Sequence, residues 1–143
     1  MGTVDVACGL VFKEEKILLA KRLPHKTLGG FWEFPGGKIE AGEDVVTCLK
    51  RELNEELGMN VKVIDIVFTN VHEYGFGTIK LIAYLCVFVN TNNLLVDHDE
   101  VSWVPLGKVM DFNLSPADVP IAKYLIDNER NIFNQLASLR NFD

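Results

Sequence analysis

The sequence predicts an α/β sandwich, a mixed central sheet with one helix on each side. Three observations predict it. Strand-like and helix-like segments follow the order strands, helix, strands, helix. Thr78 to Val89 is apolar on both faces, as expected for a central strand covered on both sides. The 143 residues suit one domain with one core, and no repeat, low-complexity run or Pro/Ser-rich linker divides them.

The elements follow in order. Val4 to Phe12 alternates on one face through Val4, Val6, Cys8, Leu10 and Phe12, and reads as a strand. KEEK is a polar turn, and Lys16 to Arg22 is a second strand paired to the first as a hairpin. Leu23 to Gly30 is a loop. FWEF then enters PGG, which breaks regular structure. Gly36 and Gly37 after Pro35 suggest a tight, φ-permissive turn and a close backbone approach to a ligand. Asp44 to Leu57 has the helical period, with Val46, Leu49, Leu53 and Leu57 on one stripe. Gly58 stands where a left-handed cap belongs. Val61 to Val71 is β-branched, and Val101 to Val104 is a short strand. Ser115, Pro116 and Ala117 read as N-cap, N1 and N2 of a helix running towards Leu139, with Pro120 tolerated near its start.

Composition narrows the functions. A formal net charge of −6 argues against binding nucleic-acid polymers or acidic membranes. It leaves room for small phosphorylated ligands, because a cation can stand between carboxylates and phosphates. Cys8, Cys48 and Cys86 form no CxxC and read as buried thiols of a reducing compartment. His25, His72 and His98 lack metal-ligand spacing and read as loop or strand-end residues. The N-terminus shows no leader pattern, and no apolar run is long enough to span a bilayer, so a cytoplasmic protein is expected.

The informative stretch is GKIEAGEDVVTCLKRELNEELGM, Gly37 to Met59. On its helix, Glu52, Glu55 and Glu56 share one face beside the apolar stripe. Like charges at these spacings cost a few tenths of a kcal/mol per pair, and partial burial adds to the penalty. One reading is a solvated acidic face. The other is a set of hard oxygen ligands for Mg²⁺ or Mn²⁺, a cation class that usually brings phosphate with it.

The spacing bears on that choice. Gly37, five residues, Glu43, seven residues, then Arg51-Glu52-Leu53-x-Glu55-Glu56-x-Gly58-Met59 resembles the signature of the Nudix hydrolases at every fixed position. The resemblance implies a Nudix-type α/β/α sandwich over residues 1–143, with the signature helix on one side and the C-terminal helix on the other. It implies a cradle in which Glu52, Glu55 and Glu56 ligate Mg²⁺, or Mn²⁺ in its place. The Gly37 carbonyl adds an oxygen, and Arg51 orients a glutamate. Glu43 supports the loop, and Lys38 reaches a phosphate oxygen.

Beyond the signature, ILLAKR, GFWEFPGGKIEAGE, HDEVSWV and LSPADVP are similar to the MutT branch. That similarity places Arg22 near the nucleotide, Phe34 against or beside the base, and Glu100 near the metals as ligand or base. Glu52 and Glu100 are both open as the group that takes the water proton. Asp118 departs from the asparagine of the oxidised-guanine pattern. An ionised aspartate only accepts hydrogen bonds, which suits an exocyclic amino group. P-A-D also resembles the CTP-hydrolysing relatives, so guanine-type and cytosine-type substrates both stand.

The implied activity is metal-dependent hydrolysis of a nucleoside triphosphate, such as 8-oxo-dGTP or (d)CTP, to monophosphate and pyrophosphate. Its purpose would be nucleotide-pool sanitation and DNA repair. The partner is a small nucleotide, with no nucleic-acid polymer and no membrane, and the protein is a monomer or homodimer. The alternatives are hydrolysis of another nucleoside diphosphate-linked compound, or a non-catalytic nucleotide-binding module. Tyr74 of HEYGFG, near the tyrosine of dinucleoside polyphosphate hydrolases, reads better as a partly buried strand-end residue.

Overall fold

A computed structural model describes residues 2–140. The chain runs β1 (Thr3–Lys13), β2 (Lys16–Arg22), β3 (Trp32–Glu33), β4 (Gly36–Lys38), α1 (Val45–Leu57), β5 (Met59–Tyr74), β6 (Gly77–Thr91) and β7 (His98–Pro105). Short 3₁₀ turns at Leu106–Asp111 and Pro116–Asp118 precede α2 (Val119–Asp127) and α3 (Glu129–Arg140).

The seven strands form one mixed sheet centred on β1. β1 and β6 are parallel, with Val6 opposite Leu81 and Cys8 opposite Ala83. The other pairings are antiparallel. The β1–β2 hairpin pairs only at its turn end, through Phe12↔Ile17 and Lys13↔Lys16. β2 then leaves β1 to pair with β7 and β3. The edge of β1 that it vacates is taken by β4, with Val6↔Lys38 and Cys8↔Gly36. This fork carries the chain from the sheet into α1.

Alternation along β1 builds two cores. Ala7 and Val11 face α1, packing with Leu18, Cys48, Leu49, Leu53 and Leu57. Cys8, Leu10 and Phe12 face the other way, with Ile121, Leu125, Ile132 and Leu136 of α2 and α3. All three cysteines are buried and free. A strand apolar on both faces is what a sheet between two helical layers requires, and β6 likewise sits between β1 and β5. Tyr74 ends β5 half-buried, and its hydroxyl accepts the Ala117 N–H at 2.9 Å.

Four local expectations change. Val46 is exposed, because the buried stripe of α1 is Cys48, Leu49, Leu53 and Leu57. Gly36 and Gly37 do not form a left-handed turn but lie in β4. Their need is space: a Cβ on Gly36 would strike the Ala7 carbonyl oxygen, and one on Gly37 would strike the Glu52 carboxyl group. Ser115 makes no side-chain cap, and its buried hydroxyl has no partner among the described residues. The C-terminal helix is also broken at Asn128, whose side-chain amide donates to the Tyr124 carbonyl at 2.8 Å and competes with the helical ladder.

Gly58 closes α1 with φ of 57° and donates its N–H to Asn54. Gly58→Ala is expected to lower stability by about 1–2 kcal/mol, because alanine resists this conformation and its Cβ would meet the Asn92 side chain. A lower urea midpoint with an unchanged slope would show it.

Candidate active site

The site begins with one cation among acids. Asp44 caps α1 by accepting the Thr47 N–H at 2.8 Å, and this starts the helix immediately after Glu43. Arg51, two turns on, points back at that loop. Its Nε donates to Glu43 Oε2 at 2.7 Å and its Nη2 to Glu43 Oε1 at 3.0 Å, a bidentate fork. Nη1 donates to Glu52 at 2.9 Å and to Glu55 at 3.2 Å, and Nη2 also reaches the Lys38 carbonyl at 3.4 Å. The fork, with the Glu40 N–H, draws the Glu43 carboxyl down to about 2. Glu43 in turn holds the Arg51 guanidinium above its ordinary value. The Cys48 thiol points at the Gly37 and Lys38 carbonyls, at 3.7 and 3.4 Å.

A second cluster forms at the C-terminal end of α1. Burial first, then a hydrogen bond with Asp97 and the charges of Asp97, Glu52 and Glu33, push the Glu56 carboxyl up to about 9. Asp97 moves down, chiefly through that same bond to Glu56. His98, wholly buried, has Nε2 at 2.8 Å from Glu33 Oε2 and Nδ1 at 3.9 Å from Glu56 Oε2, and Nδ1 has no hydrogen-bond partner among the described residues. Glu33 also pairs with Arg22 at 3.5 Å, and Arg22 Nε donates to the Thr27 carbonyl at 2.7 Å. Lys26 pairs with Asp97 at 3.1 Å.

A cleft of about 430 Å³ opens beside both clusters, lined by Arg22, Glu33, Phe34, Lys38 and Asp118, with Phe76 on its wall. Asp118 is buried, and its Oδ1 accepts the Phe34 N–H at 3.0 Å. Burial, and then the Glu33 charge, hold its carboxyl well above the usual range. Burial thus works against the ionised, acceptor-only form of Asp118; a protonated carboxyl would donate as well as accept.

The structure thus gathers Gly37, Arg51, Glu52, Glu55 and Glu56 on one rim, and Arg22, Phe34, Lys38 and Asp118 in the adjoining cleft. Phe34 is 2% exposed, so it is a wall and not a free stacking face. Glu100 stands apart. It is exposed on β7 opposite Lys21. Alternation turns it away from the α1 face, where Val101 and Trp103 lie with Leu18 and Leu57. The residues of this segment that meet Glu56 are Asp97, which the sequence did not single out, as it did not Glu33, and His98, expected as a loop or strand-end residue and found at the first position of β7. Their signal lies in the β2–β7 register, whose irregularity at Lys21/Arg22 sets His98 opposite Arg22.

The donor set suits a hard divalent cation. Glu52 and Glu56 are carboxylates with little exposure, and Glu56 carries a proton that a cation would displace. Among the described residues no three acidic, histidine or cysteine side chains already converge on one ion position. Glu52 is turned to Arg51 and Glu56 to Asp97, so ligation needs both to rotate.

The family model for the NUDIX domain matches residues 2–125. The chain belongs to the NUDIX family of hydrolases. The CTP pyrophosphohydrolase of Escherichia coli (strain K12) is 31% identical over 121 residues, 85% of this chain and 90% of the relative. The putative 8-oxo-dGTP diphosphatase 2 of Mycobacterium tuberculosis is 34% identical over 120 residues, 79% of this chain and 81% of the relative. The solution structure of the E. coli ORF135 protein superposes with a TM-score of 0.79 at 31% identity, covering 90% of this chain and 92% of that one. This NUDIX protein is a MutT-like pyrophosphohydrolase. The signature and the carboxylate helix are one element, and family members generally use divalent metals.

Glu56 supplies a signed test. Its folded-state value of about 9 lies above the ordinary 4.5. Its favourable contribution is therefore complete below about pH 4.5 and lost as pH rises through about 9. Metal-free protein should lose stability across that window. At pH 8, Glu56→Gln should raise the metal-free melting temperature by about 2–4 °C, and the gain should vanish or reverse with saturating Mg²⁺. Differential scanning calorimetry with and without metal reads both.

Proposed function

We propose that this NUDIX enzyme hydrolyses a nucleoside triphosphate to the monophosphate and pyrophosphate, with a cytosine or an oxidised guanine base, using Mg²⁺. The observation that carries the reading is adjacency: a cleft ending on the buried Asp118 opens directly beside the Arg51-organised carboxylates. The names of the two curated relatives, one a CTP enzyme and one an 8-oxo-dGTP enzyme, support the same substrate class.

Glu52, Glu56 and the Gly37 carbonyl would hold the cation, with Glu55 and Asp97 at its margin. When bound, Mg²⁺ neutralises charge on the polyphosphate chain and lowers the pKa of an attacking water. The residues do the rest. Arg51 keeps Glu52 turned towards β4, where a Cβ on residue 37 would exclude it. Lys38 and Arg22 flank the path from carboxylates to cleft and offer positive charge to phosphate oxygens. Glu52, once turned from Arg51 as ligation requires, offers its second oxygen to the attacking water and accepts its proton. Asp118 keeps one oxygen on the Phe34 N–H and offers both a donor and an acceptor to the base edge. Cytosine and oxidised guanine each present a matching acceptor and donor, which is why the two substrate types stay together.

Pyrophosphate release with Mg²⁺ across 8-oxo-dGTP, dGTP, CTP, dCTP, ATP and ADP-ribose tests the proposal. Turnover of a cytosine or oxidised-guanine triphosphate is expected, falling by at least about a thousandfold in Glu56→Gln. Turnover of ADP-ribose alone, or equal turnover in that variant, would overturn it. Asp97→Asn should cost more turnover than Glu100→Gln in the same assay, because Asp97 touches Glu56 and Glu100 faces away.

Asp118→Asn copies the neutral acid, with one acceptor and one donor. It should keep kcat/KM within about fivefold, whereas Asp118→Ala should lose base discrimination by about 1–3 kcal/mol. A collapse in the asparagine variant would mean that the ionised form reads the base.

A further inference from the structure

Loop 23–30 lies between the metal-ligand rim and the nucleotide cleft. Its backbone is held at several points: Leu23 N–H donates to the Asp97 carbonyl at 3.1 Å, Lys26 N–H to Leu23 at 3.1 Å, Gly29 N–H to Lys26 at 2.9 Å and Gly30 N–H to Arg22 at 2.9 Å. Thr27 and Leu28 line the cleft. Leu28 has φ of 58°, a conformation leucine rarely takes, so the loop is held in a shape its residues do not prefer. On this fixed platform stands Lys26, whose ammonium sits 3.1 Å from Asp97 Oδ1.

That pairing is weakly held. The two side chains are 40% and 26% exposed, and ion pairs in such settings contribute about 0–1 kcal/mol. It is nevertheless well placed. Asp97 is hydrogen-bonded to Glu56, so the Lys26 charge partly neutralises the acidic cluster in the metal-free protein. A divalent cation on Glu56 would bring like charge against the ammonium. The four-carbon lysine stem, anchored next to two cleft-lining residues, can swing away from Asp97 and stay near the cleft. A polyphosphate chain lying between Glu56 and Asp118 presents its oxygens along that path.

We propose that Lys26 is an exchanging counter-ion: it occupies Asp97 in the metal-free protein, yields that place to the divalent cation, and then binds a phosphate oxygen of the substrate. The proposal rests on the polyphosphate-substrate reading above and adds a binding residue to it. Its consequence is two effects of opposite sign from one side chain. Lys26 opposes metal alone and favours phosphate once metal is present.

Two calorimetric titrations test it at low ionic strength, in wild type, Lys26→Gln and Lys26→Arg. In the first, Mn²⁺ alone is titrated into metal-free protein. Lys26→Gln should bind it at least about threefold more tightly, and Lys26→Arg as wild type does. In an Asp97→Asn background the Lys26→Gln effect should disappear, because the competition runs through that carboxylate. In the second, the preformed Mn²⁺ complex of inorganic tripolyphosphate is titrated into Mn²⁺-loaded protein. Lys26→Gln should bind it about tenfold more weakly, with Lys26→Arg restoring most of the loss. Unchanged Mn²⁺ affinity in Lys26→Gln, an Mn²⁺ effect that persists in Asp97→Asn, or unchanged tripolyphosphate affinity would each overturn the exchange. Wild-type turnover of nucleoside triphosphates is read separately. If it is absent while both calorimetric shifts appear, the substrate assignment falls and the exchange stands.

Discussion

The fork of Arg51 on Glu43 is the interaction on which the rest of the site depends. Without it, Glu43, Glu52 and Glu55 would face one another across one loop and two helical turns, with only repulsion among them. With it, a single planar guanidinium satisfies Glu43 twice, holds Glu52 and Glu55 on its other nitrogen, and reaches the Lys38 carbonyl. Lysine has no such geometry, because an ammonium cannot present two parallel donors to one carboxylate and a third to its neighbour. The fork also closes loop 39–43 onto α1, so the position of β4 and of the carboxylates is settled together.

The fork in the sheet supplies the second constraint. β2 parts from β1 after two pairs, β4 fills the vacated edge, and the chain enters α1 directly from it. Gly36 lies against the backbone of β1 and Gly37 against the carboxyl group of Glu52. The spacing between sheet and helix is therefore set by contacts that admit no side chain. The same geometry sets the carboxylates of α1 beside β4, whose Gly36, Gly37 and Lys38 also line the cleft.

Burial then tunes the acids differently. Glu43, gripped by arginine, is pulled below the usual carboxylate range, while Glu56 and Asp118, enclosed near other carboxylates, are pushed above it. The same kind of acid is thus pulled in opposite directions according to what surrounds it.

The sequence by itself determined the α/β order, the two-faced strands, the span and cap of α1, and the face shared by Glu52, Glu55 and Glu56. Each is a local property, carried by periodicity or by fixed spacing along one element. It also pointed to the family, because the signature lies within one continuous segment. Only the tertiary structure decided that Asp97 and His98, and not Glu100, meet Glu56, because that depends on the register of β7 against β2 and on which face each residue takes. It likewise decided that Glu33 joins Arg22 to His98, that Phe34 is enclosed, that the last helix breaks at Asn128, and that Asp118 is buried. Those outcomes rest on strand pairing and on the loss of solvent around particular atoms, which residues distant in the chain impose and no single segment encodes.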